Sequence, residues 1–222
     1  MATEYERKAQ MISKINDEIV KNGFKSLTMD NMSKIMGISR GKLYQYFASK
    51  DEVIEAVVAR YIRFIEEKSM IGQPDNHQGY VDEFVSIFFQ NIILASSASD
   101  VFVNDLKEIY PDLYHSFTES MTKRQAAIEN FYDAGITHNV FNQGMNTRLL
   151  HLQDQTMLSL IVLPAFLFKH RLEPAQVMRD YLHLRVTAVI APPYQHLVNQ
   201  EHVDAQIKHL DEKFRRVMWM TT

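Results

Sequence analysis

FKSLTMDNMSKIMGISRGKLYQYFASKDEVIEAVV, residues 24–58, reads as two short helices around a glycine. Thr28 is placed to cap the first, Met29–Met36, with Asp30 near its positive end. The apolar face of that helix is Met29, Met32, Ile35 and Met36. Gly37 ends it, because the residue just past a helix is commonly left-handed. Ile38 is expected to anchor the turn in the core. Ser39 caps the second short helix, which is expected to run to about Phe47 and carries Arg40, Lys42, Tyr44, Gln45 and Tyr46. So polar a helix cannot be buried all round. Ser49-Lys50-Asp51-Glu52 follows as a capping box. It opens a long helix to about Lys68 with Val53, Ile54, Val57, Val58, Tyr61 and Ile65 as its buried stripe. Helices joined this way form a helix-turn-helix, which sets its second helix in the DNA major groove. A hairpin inside an ordinary bundle would use the same pattern for packing and leave Arg40 and Lys42 merely solvated.

Outward from this stretch, charge is segregated. Residues 1–50 hold nine Lys/Arg against five Asp/Glu, and residues 51–222 hold fifteen against twenty-two. A basic end on an acidic body suits a DNA-binding head on a body that does not bind DNA. Of the 222 residues, 46% are hydrophobic, enough for a core and too many for global disorder. Seven Gly, six Pro and the lack of alternating strand patterns point to an all-α chain. The absence of cysteine excludes disulfides, zinc-thiolate sites and thiol catalysis, and fits a cytoplasmic location. Residues 1–20 are charged and carry no signal-peptide pattern. The apolar run Met157–Phe168 is too short to span a bilayer and reads as a core helix.

The spacing predicts a first helix over 4–22 ended by Gly23. Past the break at Ile71–Asp75 it predicts helices over about 80–95, 101–109, 111–134 (ended by Gly135), 147–169 (kinked at Pro164) and 174–190 (stopped by Pro192-Pro193). In the tail, Val203, Ile207, Leu210, Phe214 and Val217 make a stripe on a helix over about 199–219. Lys208, Lys213, Arg215 and Arg216 lie off it, balanced by acidic residues, so no membrane attraction is expected.

Thr28-Met29, Met32, Met36-Gly37-Ile38-Ser39, Gly41, Leu43-Tyr44, Tyr46-Phe47 and Ser49-Lys50-Asp51-Glu52-Val53 resemble the N-terminal domain of TetR/AcrR-type transcriptional regulators. The ordered match spans about residues 8–58. The resemblance implies a bacterial homodimeric repressor whose heads grip a palindromic operator and whose bodies dimerise and bind an inducer. The domains would be 1–50, a three-helix DNA-binding head, and 51–222, a larger helical ligand-binding and dimerisation body with an extra helix about 199–219. Carried over, Thr28, Tyr44, Tyr46 and Lys50 would contact phosphates, while Ser39, Arg40, Gly41, Lys42 and Gln45 would face base edges or the adjacent backbone. The chemistry agrees: hydroxyls and ammonium groups suit phosphate, Arg or Lys reads guanine, and Gln reads adenine. Leu43 and Phe47 would hold the helix to the head. Ser33 and Met36 depart from the small apolar residues the family prefers, and Asp30 would sit near the DNA backbone.

In such a body the helices 147–169 and 174–190 would dimerise, through Leu158, Ile161, Val162, Ala165, Tyr181, Leu182, Leu184, Val186 and Val189. A pocket would lie among helices 80–95, 111–134 and 147–169. Its walls would be Phe84, Phe88, Tyr110, Tyr114, Phe117, Met121 and Met157, with Asn91, Gln125, His151 and Gln155 as sparse polar groups. The same residues suit a helical core equally well. The implied ligand is a hydrophobic small molecule. None of the nine histidines has another at i+3 or i+4; His151 with Asp154 is the His–carboxylate pair worth checking, and no metal or cofactor is expected. No catalytic motif appears, so the chain reads as no enzyme. The competing reading is a protein–protein adaptor of the same fold that uses the C-terminal stripe as its contact surface.

Overall fold

The computed structural model describes residues 3–219, and the side chains of all of these except Tyr5 and residues 216–219. The fold is all-α. The helices are α1 (Glu4–Asn22), α2 (Met29–Met36), α3 (Arg40–Tyr44), α4 (Lys50–Glu67), α5 (His77–Ala95) and α6 (Asp100–Ile109). They continue as α7 (Pro111–Thr137), α8 (Thr147–Ile161), α9 (Pro164–His170), α10 (Pro174–Val189) and α11 (Gln200–Trp219), with a 3-10 turn at Pro192–Leu197. Two compact units result. One comprises the chain up to Glu67 with Ser97–Lys123; the other comprises Lys68–Ser96 with Arg124 onward.

In the first unit, Ile15, Ile19, Phe24, Met32, Met36, Leu43, Val53, Ile54 and Val57 are fully shielded, joined by Phe102 and Leu106 of α6. Burying each such side chain contributes roughly 1.5–3 kcal/mol relative to leaving it exposed. The stripe read on α4 is buried throughout. Gly37 is left-handed, at φ 70° and ψ 37°, and its N–H bonds back to the Lys34 and Ser33 carbonyls. A side-chain Cβ disfavours that conformation, so glycine fits the turn. Ile38 is half-buried against the core. Ile35, expected inside, is 37% exposed, and α2 packs on the core through buried Met32 and Met36 and half-buried Met29. Buried Asp105 of α6 accepts the N–H groups of Phe24 (2.7 Å) and Lys25 (2.9 Å). It thereby serves backbone donors just past α1 that no helix satisfies.

In the second unit, α5, α8, α10, α11 and the C-terminal part of α7 enclose one aromatic-rich core. Gly135 does not end α7, which continues to Thr137. A Cβ at Gly135 would lie 2.1 Å from the Phe141 ring, so the glycine permits close packing rather than a stop. Pro164 does not kink one long helix: α8 closes at Ile161, and Pro164 opens α9 at its first turn. Val203, Ile207, Leu210 and Phe214 of α11 are buried in this unit's core, where α11 packs on α10. The fifth stripe position, Val217, and Arg216 fall outside the described side chains. Asp154 pairs with Arg185, not with His151. Arg185 Nε lies 2.7 Å from Oδ1, though its N–H is not directed there, and a terminal N–H donates to Oδ2 at 3.1 Å. Tyr181 donates to Oδ1 at 2.8 Å. Burial raises the Asp154 pKa, opposed by Arg185 and by these hydrogen bonds. Among the described residues no single helix is long and apolar enough to cross a membrane.

Candidate functional site

The polar side chains of the opening stretch are gathered by two short helices whose ends are capped by their own side chains. Thr28 Oγ accepts the Asn31 N–H at 3.2 Å, and Asn31 Oδ1 accepts the Thr28 N–H at 3.3 Å. Ser39 Oγ accepts the Lys42 N–H at 3.2 Å and so starts α3. Leu43 and Phe47 point inward and are buried. Ser39, Arg40, Gly41, Lys42, Tyr44 and Gln45 are left exposed on one side of the unit, with Tyr46 half-buried. Helix α3 ends at Tyr44, earlier than Phe47, because the Gln45, Tyr46 and Phe47 N–H groups close a tighter turn onto the Lys42 and Leu43 carbonyls. That turn seats Phe47 in the core. Glu52 completes only half of the expected capping box. The Glu52 N–H donates to Ser49 Oγ at 3.3 Å, but the Glu52 carboxylate accepts from Ala48 rather than from Ser49.

Charge at this surface is organised. The Arg40 guanidinium sits 5.6 Å from the Tyr44 ring centroid and 3.4 Å from Asp30. Tyr44 first and Asp30 next hold its pKa above the ordinary value. Asp30 therefore has a cationic partner in the protein itself. Lys50 donates to the Lys25 carbonyl at 3.1 Å. Partial burial lowers its pKa, against the pull of Asp105 and Asp51. An exposed row of guanidinium, ammonium, amide and hydroxyl groups on a short helix can contact phosphate and base edges.

The candidate effector residues are distributed between the units. Tyr110, Tyr114, Phe117 and Met121 belong to the first. There Tyr110 donates to Asp51 and lies 5.6 Å from Phe24, and Phe117 stacks on Tyr61 at 5.9 Å. The second unit holds Phe84 and Phe88, buried, and Met157, half-buried, with Asn91, Gln125, His151 and Gln155. Asn91 accepts from Arg124 at 2.8 Å, Gln125 donates to Glu129 at 2.7 Å, and Gln155 is exposed. His151 is half-buried with its Nδ1 unpartnered, and burial lowers its pKa against the pull of Glu129. Sequence reading missed Arg124, which is 2% exposed. In Lys123-Arg124-Gln125 it looks like one of a solvated pair; helical phase with Ile128 and Phe131 was the available signal. An open surface cleft of about 500 Å³ is lined by Gln73, Pro74, Asp75, Asn76, His77, Tyr80 and His138, none of them in the predicted pocket.

Of the proposed dimer residues, Leu158, Ile161, Leu182, Val186 and Val189 are buried within the single chain. Val162 and Tyr181 are half-buried and Ala165 is exposed. The apolar side chains these helices leave exposed are Leu149 and Leu152 of α8, Phe168 of α9 and Leu184 of α10, with Leu163 just before α9.

A two-unit all-helical chain with an exposed helix-turn-helix supports a DNA-binding regulator. Residues 12–57 match the family model described as bacterial regulatory proteins, tetR family. That match covers the head, and the fold as a whole is the one found in solved structures of TetR-family regulators. It is similar to a TetR transcriptional regulator from Chloroflexus aurantiacus at 12% identity and TM-score 0.63, covering 86% of this chain and 100% of that one. It is also similar to a putative transcriptional regulator from Saccharomonospora viridis in complex with choline, at 10% identity and TM-score 0.62, covering 84% and 99%. A third is the ketosteroid transcriptional regulator KstR2 of Mycobacterium tuberculosis, at 12% identity and TM-score 0.58, covering 83% and 95%. No curated protein matches the sequence.

Proposed function

We propose that this regulator is a homodimeric repressor, released from a palindromic operator by a hydrophobic small molecule. The observation that carries the DNA-binding roles is the exposed row Arg40, Gly41, Lys42, Tyr44 and Gln45 above buried Leu43. Arg40, Lys42 and Gln45 read base edges, with Ser39 and Gly41 against the adjacent backbone. Thr28, Tyr44, Tyr46 and Lys50 hold phosphates. Lys50 comes already oriented by the Lys25 carbonyl. Dimerisation is supported by the exposed Leu152, Phe168 and Leu184, large apolar side chains that a second copy would cover. Effector response is supported by relatives: one similar structure holds choline, and another is a gamma-butyrolactone receptor. Ligand would favour a dimer whose heads no longer match half-sites about one helical turn apart. Asp105, bonded to the backbone of Phe24 and Lys25, gives α6 a grip on the head through which such a change is felt.

The adaptor reading loses its surface, because the described part of the α11 stripe is buried in its own chain. The test is a mobility-shift assay with DNA flanking the gene for this chain. Specific retardation at low salt is expected. Its absence from protein shown to be folded and dimeric by light scattering would remove the reading.

A further inference from the structure

Two arginines of the second unit are almost wholly enclosed, and they are served differently. Arg185, 4% exposed, has the carboxylate of Asp154. Arg124, 2% exposed, has only neutral acceptors. One terminal nitrogen donates to the Lys68 carbonyl and to Gln90 Oε1 (3.2 Å), and the other to Asn91 Oδ1 (2.8 Å). Three of the five guanidinium N–H groups are thus used. The Nε–H and one terminal N–H have no acceptor among the described residues, and no carboxylate there lies within ion-pair distance. Glu83 acts on Arg124 only from further away, and burial already pushes its own carboxyl up. Desolvation lowers the Arg124 pKa to about 10, so the group remains a cation at neutral pH. A buried cation without a counter-ion is costly, and a fold that keeps one with two donors unused has room in its hydrogen-bond inventory for an anion.

His151 of α8, which feels the Arg124 charge, has a buried Nδ1 with no partner. Arg124, Asn91 and His151 come from α7, α5 and α8, the helices between which the effector is proposed to bind. Phe88 precedes Asn91 by one turn and Ile128 follows Arg124 by one, and both belong to the unit's apolar core. We infer that the effector carries a carboxylate on an apolar body, its two oxygens taking the two unused N–H groups of Arg124 and its chain lying toward the aromatic core. A carboxylate brings the missing negative charge and two acceptor oxygens to such N–H groups, which neither an alcohol nor an ammonium can do. The inference rests on the effector-responsive reading above.

The experiment is thermal melting of the full chain with octanoate and with phenylacetate, each beside its matched alcohol. The carboxylates are expected to raise the melting temperature by about 5–10 °C at a hundredfold excess over Kd, and the alcohols far less. Arg124→Met is expected to erase that preference, lowering carboxylate affinity roughly 10–100-fold. Should Arg124→Met not fold, His151→Leu is expected to weaken carboxylate binding roughly tenfold while leaving the alcohols unchanged. Equal shifts from acid and alcohol in the wild-type protein would overturn the Arg124 assignment and leave the effector reading standing. No shift from either class would remove both.

Discussion

The two units spend their charged residues in opposite ways. In the first, the functional candidates are exposed or half-buried, close in sequence and weakly tied: Arg40 leans on Tyr44 and Asp30, and Lys50 on one carbonyl. In the second, the notable charges are enclosed and drawn from distant segments: Asp154 with Arg185, and Arg124 with Gln90 and Asn91. A surface that meets a polyanion needs its cations in water, free to release counter-ions when they bind. An enclosed charge must be matched within the protein or by a ligand, and removing its match is destabilising. Substitutions in the head should therefore change binding with little change in stability, and those in the body the reverse.

The largest effect is expected at Asp154. Asp154→Ala strands a buried guanidinium and should cost about 3–5 kcal/mol in urea unfolding, whereas replacing Asp154 and Arg185 together by Leu and Met should cost far less. A loss below about 1 kcal/mol for the single substitution would mean that Arg185 finds water, and the contrast between the units would weaken.

Next come the head cations. Lys42→Ala should lose about 1–3 kcal/mol of discrimination at one base position. Lys50→Ala should weaken binding to every sequence and reduce the salt slope by about one. Titrations on operator and scrambled DNA at several salt concentrations separate the two. Equal losses on both DNAs from both variants would contradict the assigned division between reading and holding.

The same contrast explains what the sequence revealed. Helix boundaries in 24–68 were legible because each signal is local: Thr28 and Ser39 cap, Gly37 turns, and Ser49 caps again. The exposed row on α3 was legible because a helix carrying Arg40, Lys42 and Gln45 cannot be buried. The body's pairings were not, because they span 27 to 34 residues and need the fold to bring them together. Gly135 shows the limit at one residue. Its sequence context is that of a helix stop, and only the position of Phe141 reveals a packing role. Pro164 likewise carries two local meanings, kink or first turn, and the choice depends on where α8 closes.

A smaller effect tests whether local signals in the head carry energy as well as legibility. Thr28→Ala removes the side-chain half of a reciprocal cap on α2. It should cost about 1 kcal/mol by chemical unfolding, while Thr28→Gly should cost only a few tenths more than the wild type. Operator affinity should fall in both variants, since either loses the hydroxyl assigned to a phosphate. A Thr28→Ala protein with unchanged affinity would confine Thr28 to capping.

The smallest change in stability is expected at Asp30, and it bears most directly on how the head is tuned. Asp30 and Arg40 are both exposed and lie 3.4 Å apart, a geometry in which solvent screens most of the attraction. Asp30→Asn should lower unfolding midpoints only slightly, through the loss of its charge in the first turn of α2. Its effect on DNA should be visible, because the substitution removes a negative charge close to the assigned phosphate contacts and releases Arg40 from competition. Binding to scrambled DNA should tighten more than binding to the operator, so that the ratio between them falls. That outcome would make Asp30 a residue that lowers non-specific affinity, with its carboxylate holding Arg40 until a better-matched acceptor, a guanine edge, displaces it. If both affinities rise equally, Asp30 acts through bulk charge alone. If operator binding falls instead, the carboxylate is needed to aim the guanidinium, and Arg40 and Asp30 then read as one unit.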